Sequence, residues 1–335
     1  MKKDKFIVSK TPLRISFAGG GSDLPAYFDH STSEGKVVST AIDKFVYVTV
    51  KSHGPTFDER IRLNYYETET ANSPTELKNN IIKSCLQYLN ITDRIYISSI
   101  SDIQAGTGLG SSSSFTVGLL NCLHRFRGDE QLSAFELAEE AVKIELDLVG
   151  SPIGLQDQFG CAIGGLKKIT FGKGRRVQLE RLESSMSDLK VIFDDILLMW
   201  TGNTRSANDI LESQSKSTST KMNDIQQMVD LATKLEKSTK DDFNSKILGK
   251  ILHDGWMLKK TLSSKISHSK IDQYYDLALK NGAYGGKVLG AGGGGFLLLV
   301  APKDQHSKIE RALVDFQKVT IAPESQDTKI IASNY

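Results

Sequence analysis

Cysteine is scarce and badly placed for cross-linking: Cys85, Cys122 and Cys161 are the only three in 335 residues. Their wide spacing matches neither a disulfide framework nor a Cys-x-x-Cys metal site, so a reducing, cytoplasmic setting is expected. Long apolar runs are missing as well. The most hydrophobic stretches, 196–200 and 296–302, fall far short of the roughly twenty residues that a membrane-spanning helix needs. Residues 1–14 carry charges but no sustained apolar segment or small-residue cleavage site, so no secretory signal is expected. Neither sign of charge is in excess: 42 Lys and Arg stand against 40 Asp and Glu, a net +2. Such a chain has little field with which to hold a polyanion, which argues against nucleic acid as its main partner. There is no repeat of fixed period, so a solenoid is excluded. The length suggests two medium-sized domains.

Glycine, by contrast, is plentiful and clustered. Gly19, Gly20 and Gly21 form one group, Gly106, Gly108 and Gly110 a second, and a dense run extends from Gly282 to Gly295. Clusters of this kind build sites from backbone, because a ligand can approach the main chain with no Cβ in the way. Between the clusters, residue patterning predicts strands over 6–9, 14–18, 37–50, 61–66 and 94–99, interrupted by one helix over 75–89. Helical periodicity predicts helices over 112–126 and 133–149, the second opened by Ser133 with Glu136 three residues on. Short strands are expected over 166–200 and a polar helical segment over 205–262. The last part alternates helix, the glycine run, a strand over 296–300 and a helix over 308–316. The boundary between domains is placed near 185–195, giving 1–190 and 191–335.

Four segments carry candidate chemistry. Gly106, Thr107, Gly108, Leu109, Gly110, Ser111, Ser112 and Ser113 form a glycine loop that opens a helix. The first N–H groups of a helix have no internal partner and its dipole adds about half a positive charge there, so the place suits phosphate. It is neither a Walker A loop nor a dinucleotide fingerprint, and a serine-capped helix after a flexible turn is the plain alternative. In the helix over 133–149, the apolar stripe Ala134, Ala138, Ala141 and Leu148 runs through Glu145. A carboxylate there faces the core and needs a partner, either a metal ion or a salt-bridging Arg. Asp157 stands among small and amide residues, where it serves either as a general base or as a helix N-cap. Arg14 lies within a strand and Asp23 follows a glycine turn. An inward Arg14 must pair with a carboxylate or phosphate, an outward one faces solvent, and Asp23 is placed to bind sugar hydroxyls. The glycine run near 285–296 suits packing against another glycine loop.

In this order the segments resemble the GHMP kinases, the superfamily of galactokinase, homoserine kinase and mevalonate kinase. All three family motifs are represented, at the start, near residue 108 and near residue 291, so the resemblance spans almost the whole chain. The closest wording is Thr-Pro-Leu-Arg-Ile at 11–15, Ala-Gly-Gly-Gly-Ser-Asp at 18–23, Thr-Gly-Leu-Gly at 107–110, Gln-Asp-Gln at 156–158 and Thr-Gly-Asn-Thr-Arg-Ser-Ala at 201–207. It looks most like the branch acting on D-glycero-D-manno-heptose 7-phosphate. Galactokinases carry Glu-His where Gly20-Gly21 stands here, and the second motif usually has proline where this chain has Gln104.

The resemblance implies an α+β fold of two domains, the N-terminal one like ribosomal protein S5 domain 2 and the C-terminal one ferredoxin-like, with the active site in the cleft between them. It implies ATP- and Mg²⁺-dependent phosphorylation of an anomeric hydroxyl, giving a heptose 1,7-bisphosphate for nucleotide-heptose and polysaccharide synthesis. The loop Gly106 to Ser113 would wrap the ATP phosphates, and Ser112 and Glu145 would hold Mg²⁺. Asp157 would be the acid–base catalyst, with Arg14 beside it stabilising the developing phosphoryl charge. Arg14, Ser22, Asp23, Asp157, Arg205 and Gly293 would bind the sugar, Arg205 taking its 7-phosphate. The implied partners are small molecules, ATP and a sugar phosphate, with no membrane or nucleic acid, in a monomer or homodimer. A GHMP kinase for a hexose or fucose, and a non-catalytic sensor of sugar and nucleotide, are the alternatives.

Overall fold

Residues 6–18 form one strand rather than two. In the computed structural model, which describes residues 4–182, 186–203, 210–213, 218–241 and 243–334, β1 (Phe6–Ala18) runs straight through Pro12. Pro12 has no N–H to give a ladder, and the register against β2 (Gly35–Ser52) shifts between Pro12 and Leu13, so a bulge absorbs the proline without ending the strand. β2 is the spine of the first sheet. Its second half pairs with β5 (Ile95–Ser101) and its first half with β6 (Leu166–Gly172). β3 (Ile61–Asn64) and β4 (Thr68–Ala71) form a hairpin, with β3 parallel to β5, and β7 (Arg176–Arg181) extends from β6. The final strand, β12 (Lys329–Asn334), crosses back to pair with β1.

Three helices follow, one packed on this sheet and two packed on that helix. α2 (Asn80–Tyr88) starts later than the predicted residue 75, because a separate 3-10 turn at Pro74–Glu76 ends in extended Leu77 and Asn79 then caps the helix by accepting from Ile82 N. α3 (Ser111–Arg127) lies along β1 and β2, burying Val117, Leu119, Leu120 and Leu123. Ser9 Oγ donates to Gly118 O at 2.9 Å and Ser114 Oγ to Thr11 O at 3.1 Å, which locks the helix against β1. α4 (Ala134–Val142) has the expected capping box at Ser133 and Glu136, but the helix over 133–149 is not uniform. Residues Lys143–Leu148 form a π-helical turn, with Val149 N bonded to Ile144 O. The extra residue in that turn rotates the faces: Ile144 and Glu145 go inward, whereas Leu148, predicted to continue the buried stripe, is 48% exposed. Such turns are frequent at functional sites.

The second sheet has the order β11-β8-β10-β9, with β8 (Ile196–Trp200), β9 (Gly285–Val288), β10 (Phe296–Val300) and β11 (Gln317–Val319) all antiparallel. In chain order that is fourth, first, third, second, the ferredoxin-like arrangement. α7 (Met222–Asp241), α8 (Ser245–Leu262) and α9 (Ser269–Lys280) fall between its first two strands, and α10 (His306–Ala312) between its last two. The stretch 166–200, expected as short strands alone, also contains α6 (Met186–Asp194), which buries Leu189, Ile192 and Phe193 at helical spacing and leaves Val191 outside. The last helix is shorter than the predicted 308–316 because Leu313 leaves helical geometry.

The last turn of α3 makes a titratable join with α4. His124 Nδ1 is 2.6 Å from Asp129 Oδ2 and its Nε2 is 2.6 Å from Glu140 Oε2. Burial alone would lower its pKa, but the bonds to Glu140 and Asp129 prevail and raise it. A His raised above its unfolded value of about 6.5 gives stability that is complete below that pH and lost as pH rises through the folded pKa. Thermal melts from pH 6 to 9 are therefore expected to show the parent losing stability as pH rises, and His124→Gln following a flatter curve.

Candidate active site

Two glycine loops meet where the sheets come together. A Cβ on Gly108 would stand 2.5 Å from Leu289 O, and one on Gly290 would stand 2.5 Å from the Cα of Gly108. Phe296 N donates to Thr107 O at 3.3 Å across the same contact. No side chain fits between these backbones, so the contact suits glycine on both sides. Next to it opens a cavity of about 370 Å³, reached by β1, by the loop after it, by the start of α3, by residues 151–157 and by α8 and β9. α3 begins with Gly110 in the left-handed region (φ 79°) and no side-chain cap, so the N–H groups of its first turn are not spent on a capping residue. Ser111, Ser112 and Ser113 of that turn line the cavity, and Ser111 Oγ is buried without a partner.

Arg14 faces inward from β1, with only 3% of its side chain exposed. Its Nε and Nη2 donate to Asp157 Oδ1 at 3.0 and 2.7 Å, and its Nη1 donates to Gly108 O at 2.8 Å. Burial opposes the charge, but the surrounding groups, Asp157 foremost, together outweigh it and the guanidinium pKa is raised. Asp157 sits in the first turn of α5 (Gln156–Ala162), inside the helix, so it is not the N-cap; Leu155 holds that position. Its side chain is 31% exposed and lines the cavity, with Oδ1 held by Arg14.

Glu145 is 1% exposed, and among the described residues no Arg pairs with it. Instead it accepts from Ser112 Oγ (3.2 Å), Ser113 Oγ (2.8 Å), Thr116 Oγ1 (3.0 Å) and Gln158 Nε2 (2.5 Å). Burial raises its pKa against the pull of these neutral donors. Asp23 is also buried, with Oδ1 accepting from Gly21 N at 2.9 Å, and its pKa is raised by burial first and by Asp157 second. It lines the cavity.

Several expected site residues are placed elsewhere. Ser22 is fully buried and its hydroxyl is committed, donating to Gly19 O (2.7 Å) and accepting from Lys36 N (3.0 Å), so it shapes the glycine turn and does not face the cavity. Thr107 Oγ1 bonds to Gln104 O, and Leu109 packs in the core while its carbonyl accepts from Arg14 N. Gly293 is tied through its N–H to Ile266 O, and it is Gly290 and Ala291 that line the cavity. Arg205 lies outside the described residues. Sequence reasoning missed Ser16, Gln156, Lys259 and Lys287, all of which line the cavity. Burial brings the Lys259 ammonium down to about 8 and Lys287 well below the ordinary lysine value.

Comparison with known proteins agrees with this geometry. Residues 79–165 match the family of GHMP kinases N-terminal domains and residues 240–318 match GHMP kinases C-terminal. The chain is 30% identical over 323 residues to D-glycero-alpha-D-manno-heptose 7-phosphate kinase of Campylobacter jejuni, covering 92% of this chain and 93% of that protein. The chain is a GHMP kinase. A mevalonate kinase of Pyrococcus horikoshii is 24% identical, with 90% of each chain covered. The fold is shared with a D-glycero-D-manno-heptose 1-phosphate kinase from Bacteroides thetaiotaomicron, with a TM-score of 0.79 and 23% identity over 97% of this chain and 99% of that one.

This GHMP kinase is thus an ATP-dependent phosphotransferase of the sugar-kinase kind. Among its described residues no helix is long and apolar enough to cross a membrane, and no group of three or more His, Cys, Asp and Glu is placed to hold a metal. Mg²⁺ commonly takes one or two carboxylates together with substrate phosphates and water. Glu145 and the Ser112 hydroxyl beside it are oxygen donors next to the uncapped N-terminus of α3, so they fit that role. The four donors on Glu145 also set a stability test. Glu145→Ala, which leaves them unpaired in the interior, is expected to cost about 1–3 kcal/mol in chemical denaturation, whereas Glu145→Gln, which keeps an acceptor and the volume, costs less.

Proposed function

We propose that this GHMP kinase transfers the γ-phosphoryl group of ATP to the anomeric hydroxyl of D-glycero-D-manno-heptose 7-phosphate, giving the 1,7-bisphosphate for nucleotide-heptose and polysaccharide synthesis. The observation that carries this reading is the Arg14–Asp157 pair at the edge of a cavity shared by the α3 N-terminus and the Asp23 loop. Near-full-length identity to the Campylobacter protein supports the choice of sugar. The loop from Gly106 to Ser113 takes the ATP phosphates on the free N–H groups of the first turn of α3. The acceptor lies against Asp23 and Asp157. As the hydroxyl oxygen bonds to the γ-phosphorus and the bond to ADP breaks, the hydroxyl proton passes to the Asp157 carboxylate. Arg14 holds that carboxylate by one oxygen and puts its charge beside the transferring group, where alignment and charge neutralisation do most of the work. Mg²⁺, when bound, would be held by Ser112 and Glu145 and would neutralise phosphate charge. ATP as donor, together with three free buried thiols, suits a cytoplasmic setting.

ADP release is the direct test, measured with Mg-ATP and a panel of heptose 7-phosphate, mannose, galactose, fucose and homoserine. Selective turnover of the heptose phosphate is expected, with the new phosphorus resonance assigned to the anomeric position. Preferred turnover of fucose or another hexose would replace the substrate and keep the mechanism, and nucleotide binding with no turnover would favour a sensor. In the same assay Asp157→Ala is expected to lower kcat by about 100- to 10,000-fold while ATP still binds. Activity within tenfold of the parent would remove Asp157 from the proton transfer.

A further inference from the structure

Two lysines from the second half of the chain end in the cleft without a direct carboxylate contact among the described residues. Lys259, in the last turn of α8, donates to Gly290 O. Lys287, on β9, crosses to β1 and donates to Ser16 O at 2.9 Å and Phe17 O at 3.3 Å. Both are buried, and among the described residues neither makes an ion pair. Burial lowers the pKa of both, Lys259 adding to the effect at Lys287 and Asp23 opposing it at each, so an anion bound beside them favours their charged forms. Ser16 lines the same cavity, its hydroxyl buried and without a partner among the described residues. A hydroxyl and two ammonium groups converging on one cavity are the donors that a phosphate group takes.

Their place on the strand says which phosphate. Arg14 and Ser16 are two residues apart on β1 and share a face, a separation of about 7 Å. Arg14 N is bonded to Leu109 O in the loop assigned to ATP, whereas Ser16 lies farther along, toward the turn that carries Asp23. Lys287, bonded to Ser16 O and Phe17 O, therefore stands on the acceptor side, and Lys259, bonded to Gly290 O, lines the same cavity. We propose that Lys259, Lys287 and Ser16 form the subsite for the phosphate that the acceptor sugar already carries. This rests on the reading of the acceptor as a sugar phosphate.

The probe for the subsite is inorganic phosphate, titrated calorimetrically into the whole protein with its nucleotide site filled by a non-hydrolysable ATP analogue. Lys259→Met is expected to weaken binding at least about tenfold, the loss of one charge-assisted bond, and Lys259→Arg to restore most of it. Ser16→Ala gives a smaller loss in the same direction and avoids Lys287, whose bridge to β1 makes its removal a risk to folding. In steady state, Lys259→Met raises KM for the phosphorylated sugar at least about tenfold more than KM for its dephosphorylated counterpart. Unchanged phosphate affinity in both variants, or an equal rise in KM for both sugars, overturns the subsite. Lost phosphate affinity in variants of a parent that phosphorylates only sugars lacking a phosphate would overturn the heptose 7-phosphate reading and leave the anion subsite standing.

Discussion

A buried guanidinium with three bonds to place holds the centre of this molecule together. Arg14 is fixed by β1, and its charge cannot be discharged by loss of a proton. Buried, it must find acceptors, and those it finds belong to two other parts of the chain: Asp157 at the start of α5 and the carbonyl of Gly108 in the loop before α3. One side chain thereby sets the distance between the proposed phosphate-binding loop and the proposed base. Removing either partner of such a pair leaves an uncompensated charge, a loss of several kcal/mol, so the pair is a structural constraint as well as the proposed chemical centre. The surroundings leave no slack: a Cβ on Gly110 would lie 2.7 Å from Cys161 Sγ and 3.2 Å from Arg14 Cγ.

The second constraint is the seam between the sheets. Contact of Gly108 with Gly290, and the bond from Phe296 N to Thr107 O, bring backbone to backbone with nothing between. Lys287 adds a cross-tie to β1, two residues beyond Arg14. The last strand, β12, pairs with the other end of β1. The strand that carries the key arginine is thus bound by both halves of the chain, and the cleft is shaped by their joint packing rather than by either alone.

Much of this was legible because the demands of backbone geometry and buried charge leave marks in sequence. Clustered glycines announce close approach, and Arg14, Glu145 and Asp157 stand out because a charge in an apolar or small-residue setting needs a reason. What was not legible depends on partners far away in sequence. Lys259 and Lys287 look like ordinary polar positions of a helix and a strand, and only the fold turns them toward the cavity. Ser22 misled because its neighbour Asp23 faces the cleft; a serine in a tight glycine turn meets backbone carbonyls as readily as a ligand, and here it does. The π turn at Lys143–Leu148 has no periodic signature, since it adds one residue and then resumes, yet it is what carries Leu148 outward while Glu145 points in. The helix over Met186–Asp194 was read as strand for a related reason: a short apolar segment does not declare its period until its neighbours are packed.

The cleft handles its charges in three different ways, and the differences fit a reaction that moves negative charge. Asp157 is paired with a cation through one oxygen and stays partly open, as a group that must meet a proton does. Glu145 is buried behind Ser112 and Ser113 and bonded to neutral donors, beside the end of the cavity proposed to take phosphate. The lysines are paired only with carbonyl dipoles, which orient an ammonium but do not neutralise it. On this wall of the cleft the buried ammonium groups have no direct ion pair among the described residues, and an anionic ligand suits such a surface. On the proposed reading, ATP and a sugar phosphate bring the negative charge that this wall lacks, so part of the affinity for them is set by how the chain folds its own charges out of water.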